Sequence, residues 1–113
     1  MKYRGGCHCG KVTIEVEGEI TGAVSCNCSI CSKRGSLLWF VPREQMKLSG
    51  ESELTTYTFN KHVIKHHFCP KCGCAAFGLG ESRGTQMAAV NVRCLENIDL
   101  ASIKRQFVDG RSF

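Results

Sequence analysis

The sequence predicts a small, mainly β domain, and three observations carry that prediction. Short stretches that alternate apolar and polar residues recur along the chain, while apolar spacing of helical period is scarce. Nine cysteines, most of them one or two residues from another, fall on the turns between those stretches. Twelve glycines punctuate the rest, and no linker, repeat or low-complexity tract divides the chain. At 113 residues it is read as one domain, 1–113. A domain of this size buries only about two-thirds of its unfolded surface, so cross-links at the turns matter to its stability.

The elements follow in order. KVTIEVE (11–17) alternates cleanly, with Val12, Ile14 and Val16 on one face. AVSC (23–26) leads extended into a cysteine triplet. SICSKRG (29–35) fits one helical turn with Gly35 as its stop. SLLWFV (36–41) is a buried strand that Pro42 ends, and MKLSG (46–50) is a short one. LTTYTF (54–59) and VIKHHF (63–68) are expected to pair through a turn at NKH (60–62). AAFGLG (75–80) and QMAAVNV (86–92) flank the loop ESRGT. NIDLASIK (97–104) offers a second helical turn with Asp99 as its cap.

The cysteines form four groups: Cys7-x-Cys9, Cys26-x-Cys28-x-x-Cys31, Cys69-x-x-Cys72-x-Cys74, and Cys94 alone. MKYRGGCHCG lacks the apolar core of a secretory signal, and the longest strongly apolar run, LLWFV (37–41), is too short to cross a bilayer. The expectation is therefore a cytoplasmic protein with reduced thiols, no membrane segment and metal–thiolate chemistry in place of disulfides. Pairing CHC (7–9) with CPKC (69–72) supplies four thiolates, a closed structural zinc site in which Gly10 and Gly73 relax the turns. The triplet Cys26, Cys28 and Cys31 has no fourth ligand in the KRGS that follows. An open fourth position is what separates catalytic from structural zinc, and sulfur ligands favour further sulfur, hence a thiol substrate. Two alternatives stay open: Cys74 or a histidine closes the triplet, or the triplet binds no metal. Seven thiolate charges and two Zn²⁺ ions would lower the formal charge of +5 by three, to about +2, a poor footprint for nucleic acid.

GGCHCGKV, CNCSICSKRGS, FCPKCGC and VNVRCLE with Asp99 after it, in that order, resemble the glutathione-dependent formaldehyde-activating enzyme (Gfa) and centromere protein V family. The resemblance implies the β-tent fold. It assigns a structural zinc to Cys7, Cys9, Cys69 and Cys72 and a catalytic zinc to Cys26, Cys28 and Cys31. The activity it implies is that of a carbon–sulfur lyase, joining glutathione and formaldehyde as S-hydroxymethylglutathione. The chain is shorter than the founding enzyme.

Outside the cysteine groups, His66 or His67 is a candidate proton shuttle, while His8 is read as solvated or packed away from the zinc and His62 as solvated. Lys33, Arg34 and Arg93 could meet an anionic substrate group. Trp39 and Phe40 could line a pocket but are expected in the core, and Cys94 is expected as a free, partly buried thiol. The rival function is a non-catalytic, zinc-stabilised module that binds protein or nucleic acid. KHVIKHH (61–67) is its best basic segment and is a poor one. A redox role for Cys74 and Cys94 ranks last. Oligomeric state cannot be read from the sequence.

Overall fold

The computed structural model describes residues 1–59 and 64–110. Among them, ten strands form two sheets. Strands β1 (Lys2–Gly6), β2 (Thr13–Glu17) and β5 (Met46–Ser49) make a three-stranded antiparallel sheet with β2 in the middle. The second sheet has seven strands in the order β10-β3-β4-β9-β8-β7-β6. These are β3 (Ala23–Cys26), β4 (Leu38–Pro42), β6 (Thr55–Tyr57), β7 (Lys65–Phe68), β8 (Phe77–Ser82), β9 (Thr85–Asn91) and β10 (Arg105–Val108). All its pairings are antiparallel except β10 with β3.

The alternation through β2 does what the sequence asks: Val12, just before the strand, and Ile14 and Val16 within it are 1%, 2% and 0% exposed. They join Trp39, Val41, Met46, Phe77, Val90 and Val92 in one core fed by both sheets. Tyr3 meets Trp39 edge-on at 5.6 Å and 85°, so β1 is pinned to β4 by an aromatic contact. No described helix is long and apolar enough to cross a membrane.

Helix α1 spans Ser29–Arg34 and stops at Gly35, whose φ of 68° is left-handed. The second helical turn is a 3-10 turn at Leu100–Ser102, capped as expected: the Ala101 amide donates to Asp99 Oδ1 at 3.1 Å.

The differences are informative. Strands β1 and β10 were not anticipated. LTTYTF and VIKHHF do pair, but as three and four residues, Thr55–Tyr57 against Lys65–Phe68. The expected turn NKH, with His62, and Val63 lie outside the described residues. Trp39 is core, as expected, but Phe40 is not: it is 50% exposed, because its neighbour in the pleat faces the interior.

Candidate metal centres

Two knuckles of matching construction build the first centre. In one, the Cys7 amide donates to the Val12 carbonyl at 3.0 Å and the Gly10 amide returns to Cys7 at 3.3 Å. In the other, the Cys69 amide donates to Cys74 at 3.0 Å and the Gly73 amide to Cys69 at 2.7 Å. Each turn passes through a left-handed residue, Gly10 at φ 82° and Gly73 at φ 80°, which a side chain would oppose. The result is that the sulfurs of Cys7, Cys9, Cys69 and Cys72 all lie within 4.8 Å of one another. His8, between two of them, is exposed and does not join the group.

The donor set suits a metal ion. Metal–sulfur bonds near 2.3 Å in a tetrahedral thiolate site put the sulfurs about 3.8 Å apart. Cys9 lies 3.6 Å from Cys7 and 3.6 Å from Cys69, and all nine cysteines are free of disulfides. The Val12 amide donates to Cys7 Sγ at 3.3 Å. Amide donation from Cys74 and Cys9 draws the Cys72 thiol down to about 5, so thiolate is its resting form at neutrality.

The second group assembles where β3 runs into α1. Cys26 ends the strand, Cys28 caps the helix and Cys31 lies one helical turn on, so the last two share a face. The three sulfurs lie within 4.8 Å of one another, and the Cys28 amide donates to Cys26 Sγ at 3.4 Å. Burial, then the Cys28 and Cys26 sulfurs, push the Cys31 thiol up to about 12. Three thiolates this close need a cation between them, and a divalent ion would reverse the shift. Both groups could therefore hold metal ions.

Among the described residues, no further Cys, His, Asp or Glu atom joins the triplet. Cys74 does not: its charge acts instead on Cys94, beside the four-sulfur centre. Cys94 is half-buried, and burial followed by the Cys74, Cys7 and Cys72 sulfurs pushes its thiol up to about 11. It stays protonated, with its Sγ 3.8 Å from the Ala75 carbonyl.

The triplet opens on a cavity of about 540 Å³. His66 lines it, as does Arg34, whose guanidinium lies 5.8 Å over the Phe68 ring. His67 falls on the other face of β7, bonded through Nδ1 to Thr56 Oγ1 at 2.9 Å. Of the two histidine candidates, His66 is therefore the one at the site. Arg93 is placed elsewhere: its Nε donates to the Gly35 carbonyl at 3.2 Å and satisfies the end of α1. Lys33 is an exposed residue of α1 and does not line the cavity.

Phe40 takes the pocket-lining alternative the sequence left open, whereas sequence reasoning missed Phe59 and Ile64, which complete the apolar walls, and Gly110, which closes the cavity at the triplet. A β-carbon on Gly110 would collide with Cys26 Sγ and sit 3.1 Å from Cys28 Cβ. It also missed Asn91, a buried side chain that accepts from the Leu37 and Arg93 amides at 3.4 and 3.2 Å and donates to Ala75 at 3.1 Å. A polar residue inside the apolar run AAVNV was the available signal for that one.

The family model described as glutathione-dependent formaldehyde-activating enzyme matches residues 2–109. The chain belongs to this family. A protein of Colletotrichum graminicola named "Putative glutathione-dependent formaldehyde-activating enzyme" is 31% identical over 78 residues, covering 64% of this chain and 41% of that protein. A Talaromyces marneffei protein of the same name is 26% identical over 78 residues, covering 64% and 42%. The formaldehyde-activating family member described here thus spans about two-fifths of the length of these curated relatives. Among solved structures, a Rhodobacter sphaeroides protein is similar with a TM-score of 0.80 and 31% identity, covering 91% of this chain and 99% of its own.

Proposed function

We propose that the chain is a zinc-dependent enzyme that makes or breaks the carbon–sulfur bond between a small thiol, glutathione or a close analogue, and an aldehyde of the formaldehyde class. The observation that carries this reading is the three-sulfur group of Cys26, Cys28 and Cys31, which opens on a cavity with no fourth protein ligand among the described residues. Family membership and the names of the relatives support it. In this reading Cys7, Cys9, Cys69 and Cys72 hold a second, structural zinc whose four ligands leave no place for substrate.

At the triplet, zinc supplies Lewis acidity and a position that prefers a soft sulfur ligand. The chain's own residues do the rest. Arg34 receives a carboxylate of the thiol substrate. Burial, then the Arg34 and His67 charges, holds His66 below the ordinary histidine range, so at neutrality its imidazole is free to take the thiol proton. That proton passes to the aldehyde oxygen as the S–C bond forms. Apolar walls exclude the water that would compete for the aldehyde.

Native mass spectrometry of protein purified without chelator tests the reading. Two zinc ions plus a glutathione adduct that Cys28→Ser abolishes, along with one of the ions, is the expected result. Two zinc ions with indifference to every thiol would leave a zinc-stabilised binding module and remove the enzyme.

A further inference from the structure

The triplet cavity is far more apolar than formaldehyde chemistry needs. Tyr57, Phe59 and His66 form a continuous stack, with ring centroids 5.8 and 5.2 Å apart and interplanar angles of 22° and 25°. Phe59 and His66 of that stack line the cavity together with Phe40 and Ile64, which are 50% and 51% exposed. Among the described residues, three of the five exposed large hydrophobic side chains thus gather here, Phe40 and Ile64 in the lining and Tyr57 stacked behind Phe59. Single exposed hydrophobics need no explanation, but a cluster around a reactive centre does.

The polar side of the lining is sparse. No Asp or Glu is among the described lining residues, and Arg34 is their one cation. Asn91 already spends its amide on Leu37, Arg93 and Ala75. A hydroxymethyl group from formaldehyde would touch almost none of this wall. At about 540 Å³ the cavity falls in the range of sites that enclose a whole small molecule.

We propose that the aldehyde half of the substrate is apolar and larger than formaldehyde, an aryl or branched-alkyl aldehyde. Its substituent lies against the Phe59 face, while the thiol half is anchored by a carboxylate on Arg34. This inference rests on the thiol-adduct reading above and narrows it. The reaction balances without an oxidant or reductant. The thiol S–H bond breaks, an S–C bond forms at the carbonyl carbon, the C=O π pair moves to oxygen, and that oxygen takes the proton to give a hemithioacetal.

Two unreactive thioethers separate the possibilities: S-benzylglutathione stands for the aryl adduct and S-methylglutathione for the formaldehyde adduct. Calorimetric titration of the zinc-loaded protein should find the benzyl compound bound at least about tenfold more tightly, from the apolar area its ring buries. Phe59→Ala and, separately, Phe40→Ser should shrink that ratio to about threefold or less. Arg34→Gln should weaken both ligands by a similar factor and leave the ratio standing. If the methyl compound binds as well as the benzyl while glutathione itself still binds, the inference is overturned and the proposed function survives. If neither thioether nor glutathione binds, both fall.

Discussion

Gly110 and His66 are the two residues at which a small change says most about the site. Gly110 has no room for a side chain beside Cys26 Sγ and Cys28 Cβ. Gly110→Ala is expected to reduce metal at the triplet by displacing Cys26, while the four-sulfur centre keeps its ion; metal analysis of the purified variant checks this. His66 titrates below the usual histidine range, for the burial and charge reasons given above, with Arg34 of α1 and His67 of its own strand as the charged groups that act on it. Its neutral, proton-accepting form therefore persists at pH 7 and is lost as pH falls below about 6.5. The rate of adduct formation should decline over that acid range in the native protein. His66→Gln should lack that decline and be slower by about a hundredfold or more, as expected on removing a general base. A mutant whose rate–pH profile keeps the same acid limb would take His66 out of the proton path.

At the level of elements, β10 is the one that completes the site. It lies parallel on β3, pairing Val108 with Cys26, and the Asn27 amide donates to the Val108 carbonyl at 3.2 Å. The Asn27 side chain also donates to Asp109 Oδ1 at 2.8 Å, so the segment behind the triplet is held from both backbone and side chain. Truncation after Ile103 strips the edge of β3 and opens the cavity beside Cys26 and Cys28. The expected outcome is a chain that binds one metal ion instead of two and no thiol, measured by native mass spectrometry. Retention of both ions would show that β3 and α1 hold the triplet unaided. The strand escaped the sequence reading because RQFV has no alternating apolar face: Arg105, Gln106 and Phe107 are all exposed. Its partner is what makes it a strand.

For the whole molecule, the four-sulfur centre is the clip between the two sheets. Cys7 and Cys9 lie between β1 and β2, whereas Cys69 and Cys72 lie between β7 and β8 of the larger sheet. A structural zinc can contribute on the order of 10 kcal/mol, comparable with the entire 5–15 kcal/mol stability of an ordinary domain. Chelation at neutral pH, or Cys69→Ser, should therefore abolish the cooperative thermal transition seen by circular dichroism. Cys28→Ser, which leaves the clip intact, should still melt cooperatively. Equal loss in both variants would mean that the triplet also carries the fold.

What the sequence determined by itself is whatever rests on short-range spacing. Cys-x-Cys and Cys-x-x-Cys with a following glycine declare a knuckle, alternation declares β2, and Gly35 and Asp99 declare the ends of two helical turns, because each needs only its neighbours. The pairing of Cys7 and Cys9 with Cys69 and Cys72 was legible too, since four sulfurs make one tetrahedral set. Tertiary structure alone decided the rest. Strand β1 reads as KYRGG, with no apolar face, and its glycines have a cause that local pattern cannot show: a β-carbon on Gly5 would collide with the Cys94 carbonyl on a distant segment. Phe40 could not be told from Trp39, its neighbour of similar character, until the pleat sent one inward and the other to the cavity. The walls of that cavity come from β3, α1, β4, β7, β8, β9 and β10, with Phe59 beyond β6 and Gly110 beyond β10, and no spacing rule relates residues whose proximity exists only once the sheet has closed.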